Sequence, residues 1–223
     1  MKKNDILTKL EDCGVIAVVR AESEEMAVKI VEACVAGGIV GIEITFTVQG
    51  AIDIITALAK RYKPEEVIIG AGTVLDPETA RAAILAGAHY VVSPCLNVDT
   101  VKTCLRYQVP CMTGAMTPKE VVDCMEAGAD IIKIFPAALF GPSIIKNFKG
   151  PLPQAQMMPT GGVNVGNVAD WINAGAVMVG SGSDLTAGAK KGDFESITLL
   201  AKEMVEAVRV ARDIKEQIGK YGV

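Results

Sequence analysis

Apolar, β-branched runs of five to eight residues recur along the chain, separated by stretches of helical periodicity. The first four are VIAVVR (15–20), GIEIT (41–45), VIIGAG (67–72) and HYVVSP (89–94). VPCMTG (109–114), DIIKIFP (130–136), AQMMPTGG (155–162) and AVMVGS (176–181) follow. Such runs read as strands, and the segments between them as helices. SEEMAVKIVEACVAG (23–37) is one of these helices and TPKEVVDCMEAG (117–128) another. The second opens with Thr117 as N-cap, Pro118 at the first helical position and Glu120 two further on, a capping box. A long amphipathic helix, FESITLLAKEMVEAVRVARDIKEQI (194–218), follows the last run. Residues 3–12 read as a short helix before the first strand, placed to cap the lower mouth of a barrel.

One joint repeats. AGGI (36–39), AGAH (86–89), AGAD (127–130) and AGAV (174–177) each end a helix and lead into a strand. Glycine there supplies the left-handed conformation that stops a helix, and the small residue before it allows a tight turn. Eight strands that alternate with helices predict an α/β fold, a (β/α)8 TIM barrel over residues 1–223 as a single domain, rather than a doubly wound sheet.

Barrel enzymes keep their chemistry where the strands end. In order, the predicted ends carry Arg20, Glu43, Gly72–Thr73, Ser93–Pro94, Thr113–Gly114, Lys133, Thr160–Gly161–Gly162 and Gly180–Ser181. Polar groups or glycine occupy every end, whereas the strand interiors are apolar. The candidate site is therefore the top face.

Composition removes several classes of function. The net charge is −4, from 22 basic and 26 acidic residues without blocks of one sign, so no nucleic-acid or membrane-surface footprint is present. The N-terminal MKKNDILTKLEDCG lacks the apolar stretch of a signal peptide, and no run reaches the ~18 apolar residues of a membrane span, so the expected compartment is the cytoplasm. Six scattered cysteines without a C-x-x-C pair read as reduced thiols, with Cys95 after Pro94 the one most open to oxidation. The single histidine, His89, rules out a zinc site built on several histidines of one chain. It stands at the entrance of its strand and reads as structural.

Lys133 interrupts an otherwise buried strand, IIKIF (131–135). If Ile132 and Ile134 face the outer helices, Lys133 points into the barrel, and in GIEIT the same alternation turns Glu43 inward. Desolvation and a nearby Arg20 would favour the neutral amine, a nucleophile toward a carbonyl carbon that forms a Schiff base. Glu43 is then the acid/base partner. A structural ion pair is the alternative. The other strand ends favour chemistry, because PTGG (159–162) and GSGS (180–183) form adjacent glycine-rich turns after strands 7 and 8, where barrels often bind phosphate. Thr160, Gly161, Gly162, Gly180 and Ser181 are the phosphate-site candidates, so the expected substrate carries a phosphate and a carbonyl.

GVIAVVR, GGIVGIEITFT, IGAGTVL, YVVSPCLN, GAMTPKE, GADIIKIFPA, PTGGVN and GSDL, in that order from about residue 10, resemble the 2-keto-3-deoxy-6-phosphogluconate (KDPG) and 4-hydroxy-2-oxoglutarate (KHG) aldolases. The resemblance implies a class I pyruvate aldolase on a (β/α)8 barrel, a homotrimer needing neither a metal nor an organic cofactor, whose partner is a small phosphorylated 2-keto acid. It implies Lys133 as the Schiff-base lysine and Glu43 as the general acid/base. Thr73, Pro94 and Phe135 would line the pyruvate pocket, and Gly161, Gly162 and Ser181 the phosphate turns. Some members carry an arginine after the glutamate to hold the substrate carboxylate; here Thr47 stands there, and Arg20 is the substitute cation. The rival readings are a 2-keto-3-deoxy-6-phosphogalactonate aldolase, a phosphosugar epimerase or isomerase using Lys133 and Glu43 as a proton shuttle, and a non-catalytic phosphosugar-binding protein.

Overall fold

Each predicted run forms a strand, and the strands are joined edge to edge in parallel. The computed structural model describes residues 1–221. It opens with α1 (Lys3–Cys13), β1 (Val15–Val19), α2 (Glu24–Ala36), β2 (Gly41–Thr45), α3 (Ala51–Arg61), β3 (Ile68–Gly72) and α4 (Pro77–Ala86). The middle is β4 (Tyr90–Val92), α5 (Val98–Arg106), β5 (Cys111–Ala115), α6 (Pro118–Ala127), β6 (Ile131–Ile134) and α7 (Ser143–Lys149). The last part is β7 (Met157–Pro159), α8 (Val168–Asn173), β8 (Val179–Ser181), α9 (Ser183–Thr186) and α10 (Phe194–Tyr221). The strand order is β7-β6-β5-β4-β3-β2-β1-β8. A Thr160–Gly180 bridge and a 3.0 Å bond from Val177 N to Met157 O close β7 onto β8. The fold is the expected (β/α)8 barrel. Among the described residues, no helix is long and apolar enough to cross a membrane.

Local signals explain the joints. Thr117 and Glu120 form the capping box expected at α6, and Ser23 caps α2 through Met26 N. Gly87, Gly128 and Gly175 are left-handed, with φ of 106°, 92° and 109°. In AGGI the left-handed residue is the second glycine, Gly38, instead of Gly37. Gly37 meets α10 instead: a Cβ there would stand 2.6 Å from Thr198 O. Strands 7 and 8 are shorter than their sequence runs, 157–159 against 155–162 and 179–181 against 176–181, because pairing across the closing seam is brief.

Alternation sorts the core into two parts. Val15, Ala17, Ile42, Ile44, Ile132, Ile134 and Met157 face the helices. Ile16, Ile68, Tyr90, Val92, Met112, Ile131, Met158 and Met178 fill the barrel, and Ile6 and Leu10 of α1 join them from below. Gly41 makes room for this plug: a Cβ there would lie 2.6 Å from Leu10 Cδ2. Arg212 of α10 fastens α1 by donating to the carbonyls of Asp12 and Glu11 at 2.9 and 2.7 Å. Helix α1 therefore seals the base and leaves the top of the barrel open. Leu10→Ala should lower unfolding stability by about 2–5 kcal/mol, the usual cost of a buried leucine cavity, in a urea titration followed by circular dichroism.

Candidate active site

Lys133 on β6 and Glu43 on β2 meet inside the barrel, as the outward placement of their flanking isoleucines requires. Nζ lies 3.5 Å from Oε1, and the residues are 5% and 0% exposed. Neither Glu43 oxygen has a hydrogen-bond partner among the described residues. A buried ion pair repays its desolvation only when further hydrogen bonds satisfy its remaining lone pairs. This pair lacks that support, so it is a poor stabilising device and a good reactive one. Space for the carboxylate comes from β3, where a Cβ on Gly72 would overlap Glu43 Oε1.

The mouth around the pair is built from successive strand ends. Thr73, after β3, is half-buried with φ 59°, an unusual backbone for a β-branched residue. Pro94 is half-buried, and its carbonyl crosses above Gly114 at a distance that leaves no room for a side chain. Phe135, the residue after β6, has its ring centroid 5.4 Å from Lys133 Nζ. Thr45 stands two residues above Glu43 and its hydroxyl pairs with that of Thr47 at 2.8 Å. The side chain at 47 thus extends the mouth as a neutral hydroxyl.

The glycine-rich turns lie across the mouth, after β7 and β8. Gly161 and Gly162 are both left-handed, at φ 92° and 74°, a pair of conformations that side chains disfavour. Asn167 Nδ2 holds the turn by donating to Gly162 O at 2.8 Å. Thr160 turns inward against Gly180, with its hydroxyl buried and without a hydrogen-bond partner among the described residues.

Gly180 and Ser181 lie differently from what the sequence suggests. Both are buried within β8, paired with Ile16 and Ala17 of β1, and the Ser181 hydroxyl donates to Val163 O at 2.8 Å. That bond turns Ser181 outward, to the seam between strands 7 and 8. The accessible part of GSGS is Gly182–Ser183, immediately beyond the strand. Arg20 does not join the Lys133–Glu43 pair either. It is exposed, and its Nη1 would lie 3.1 Å from a Cβ on Gly182.

The remaining candidates are placed away from the mouth or at its rim. His89 sits before β4 at the barrel base, its N donating to Ile69 O at 2.7 Å; burial pushes its imidazole below the ordinary histidine range. Cys34, Cys104, Cys111 and Cys124 are buried free thiols, with Cys34 pushed up to about 12 by burial. Cys95 is exposed on the rim beside Pro94. No cluster of histidine, cysteine and carboxylate suited to a metal occurs among the described residues. Two residues escaped sequence reasoning: Ser183, one position past the strand, and Tyr90, whose inward direction follows from alternation with Val92.

The family model described as "Aldolase: KDPG and KHG aldolase" matches residues 6–200. The 2-dehydro-3-deoxy-phosphogluconate aldolase of Treponema pallidum is 35% identical over 208 residues, covering 92% of this chain and 98% of that protein. The KHG/KDPG aldolase of Escherichia coli K12 is 34% identical over 199 residues, covering 88% and 92%. Among solved structures, the KDPG aldolase from Legionella pneumophila, with pyruvate captured at low pH as a covalent carbinolamine intermediate, matches with a TM-score of 0.82. That match has 27% identity and covers 92% of this chain and 98% of that one. A buried lysine–glutamate pair in a barrel mouth, relatives aligned over about nine tenths of the chain and a family match across residues 6–200 agree: the chain belongs to the KDPG and KHG aldolase family.

Proposed function

We propose that this chain is a class I, metal-independent aldolase. Its reaction is cleavage of 2-dehydro-3-deoxy-6-phospho-D-gluconate to pyruvate and D-glyceraldehyde 3-phosphate, with 4-hydroxy-2-oxoglutarate, giving pyruvate and glyoxylate, as a second substrate. The observation that carries this reading is the Lys133–Glu43 pair, buried, 3.5 Å apart and without supporting hydrogen bonds. The resemblance to the family further supports a homotrimer working in the cytoplasm.

One carboxylate can serve every proton transfer. Glu43 takes the proton from the Lys133 ammonium, and the freed amine adds to the C2 ketone to give a carbinolamine. Glu43 returns its proton to the departing hydroxyl, water leaves, and an iminium forms. The carboxylate then accepts the C4 hydroxyl proton, the C3–C4 bond breaks, and its electrons flow into the iminium to give an enamine. Glyceraldehyde 3-phosphate departs. Protonated Glu43 delivers the same proton to C3, and water hydrolyses the new iminium to pyruvate and free Lys133. The imine is the electron sink, so the cycle requires no added cofactor.

Thr73, Pro94 and Phe135 are assigned to the pyruvate end. Thr160, Gly161 and Gly162 are assigned to the phosphate end, with Gly182–Ser183 in place of Gly180–Ser181 as the contribution from β8. Because Arg20 stands beside Gly182, we assign it to the phosphate rather than to the carboxylate.

Three measurements test this assignment. Sodium borohydride added with pyruvate should leave a reduced pyruvyl adduct on Lys133 alone, located by mass spectrometry after digestion, and Lys133→Met should remain folded with neither adduct nor turnover. Absence of an adduct from folded protein that still binds phosphorylated sugar acids would replace the aldolase by an epimerase. Glu43→Gln should retain some adduct but lower kcat by ~10²–10⁴-fold, the usual loss with a general acid/base. Arg20→Ala should raise KM for the phosphorylated substrate at least tenfold while sparing cleavage of 4-hydroxy-2-oxoglutarate; equal losses on both would return Arg20 to the carboxylate.

A further inference from the structure

The proposed cycle makes no use of one buried titratable side chain that lies directly beneath it. Tyr90 opens β4 and is fully buried. It aligns with Gly70 of β3, which in turn aligns with Glu43 of β2. The Tyr90 ring lies over Gly70, where a Cβ would overlap Cζ and both Cε atoms. Two residues along the same strand, Gly72 clears space for the Glu43 carboxylate in the same way. Phenol and carboxylate therefore occupy successive clearings on one strand, the phenol one layer nearer the base.

Their bonding is also complementary. No protein group among the described residues pairs with Tyr90 Oη, and none hydrogen-bonds either oxygen of Glu43. A buried hydroxyl left unpaired is destabilising, and phenylalanine would fill the same ring volume without it. Glu43 is faced by Lys133 from β6 and by Tyr90 from β4, while its neighbour on β1 is the apolar Val18. Burial first, then the charge of Glu43, and last Cys13 hold the phenol well above the ordinary tyrosine range, so it keeps its proton and stays a donor.

We infer that Tyr90 is a positioning residue for Glu43: the two groups are not hydrogen-bonded to each other in the free protein, where Lys133 holds the carboxylate, and the Tyr90 O–H becomes the donor that steadies the carboxyl group from beneath once Lys133 is taken up in the imine. The inference rests on the aldolase reading. In the free protein Lys133 is the counter-charge of Glu43, but in the enamine the lysine nitrogen is bonded to C2 and uncharged. The carboxyl group loses that tether at the stage when it must reach C3. A donor on another strand, outside the bonds being made and broken, remains.

The test uses the full chain and Tyr90→Phe, with pyruvate in D2O. Exchange of the methyl protons, followed by NMR, reports deprotonation and reprotonation at C3 of the pyruvyl iminium, and borohydride trapping reports the amount of imine. Tyr90→Phe should trap as much adduct as the wild type, exchange about tenfold more slowly, as befits loss of one hydrogen bond, and melt at the same temperature or slightly higher. Exchange within twofold of wild type would overturn the inference. So would a parallel fall in adduct and exchange, which would place the effect on imine formation, or a Tm several degrees lower, which would tie the hydroxyl to the scaffold. A wild-type protein that neither traps nor exchanges pyruvate would instead overturn the aldolase reading.

Discussion

A charged pair enclosed by a hydrocarbon barrel is the constraint around which this molecule is arranged. Lys133 and Glu43 come from strands on different sides of the barrel, and both are withdrawn from water. Removing two charges from solvent is costly, and their attraction compensates only in part when neither carboxylate oxygen has another donor among the described residues. The fold carries that cost elsewhere, in the isoleucine pairs that bury the opposite faces of the same two strands against the helices. The strands that hold the pair are therefore anchored by the residues on either side of it.

Much of this was legible because it is local. A period of two assigns the inner face once the flanking isoleucines are assigned to the outer one, and Lys133, Glu43 and Thr45 all follow. The AG joints and the Thr117–Glu120 box are likewise short-range devices, decided within a few residues. What could not be read depends on distant neighbours. Gly37 and Gly38 look alike in the sequence, but only Gly37 lies beneath α10, more than 150 residues further on, so the left-handed turn falls to Gly38.

The same reason explains the phosphate turns. GSGS offers two serines and two glycines, and nothing within the tetrapeptide says where the strand stops. Pairing of β8 with β1 takes Gly180 and Ser181 into the sheet, and Val163, from the preceding turn, accepts the Ser181 hydroxyl. Accessibility then begins at Gly182. Arg20 was named from its position at a strand end, but the direction of a long side chain at a rim is set by the neighbouring loop, here the turn containing Gly182.

Polarity along the barrel axis links these observations. The base is apolar and closed by Ile6 and Leu10; Tyr90 and its hydroxyl lie above it, then the ion pair, and last the hydroxyls of Thr45 and Thr47 at the mouth. Such a gradient makes the pair reachable from one side, so a substrate carbonyl arrives at Lys133 from above while the packed base keeps substrate and solvent from reaching Glu43 from below. It also fixes the reach required of the carboxylate. A group that receives protons from the amine and the C4 hydroxyl and returns them to a leaving hydroxyl and to C3 must pivot slightly without tilting into the apolar base. The glycines at 70 and 72 make this geometry available by leaving β3 without side chains where the two inward groups lie. Enlarging either glycine would press on the ring or the carboxylate directly, which places a constraint of the chemistry on a strand that contributes no reactive group.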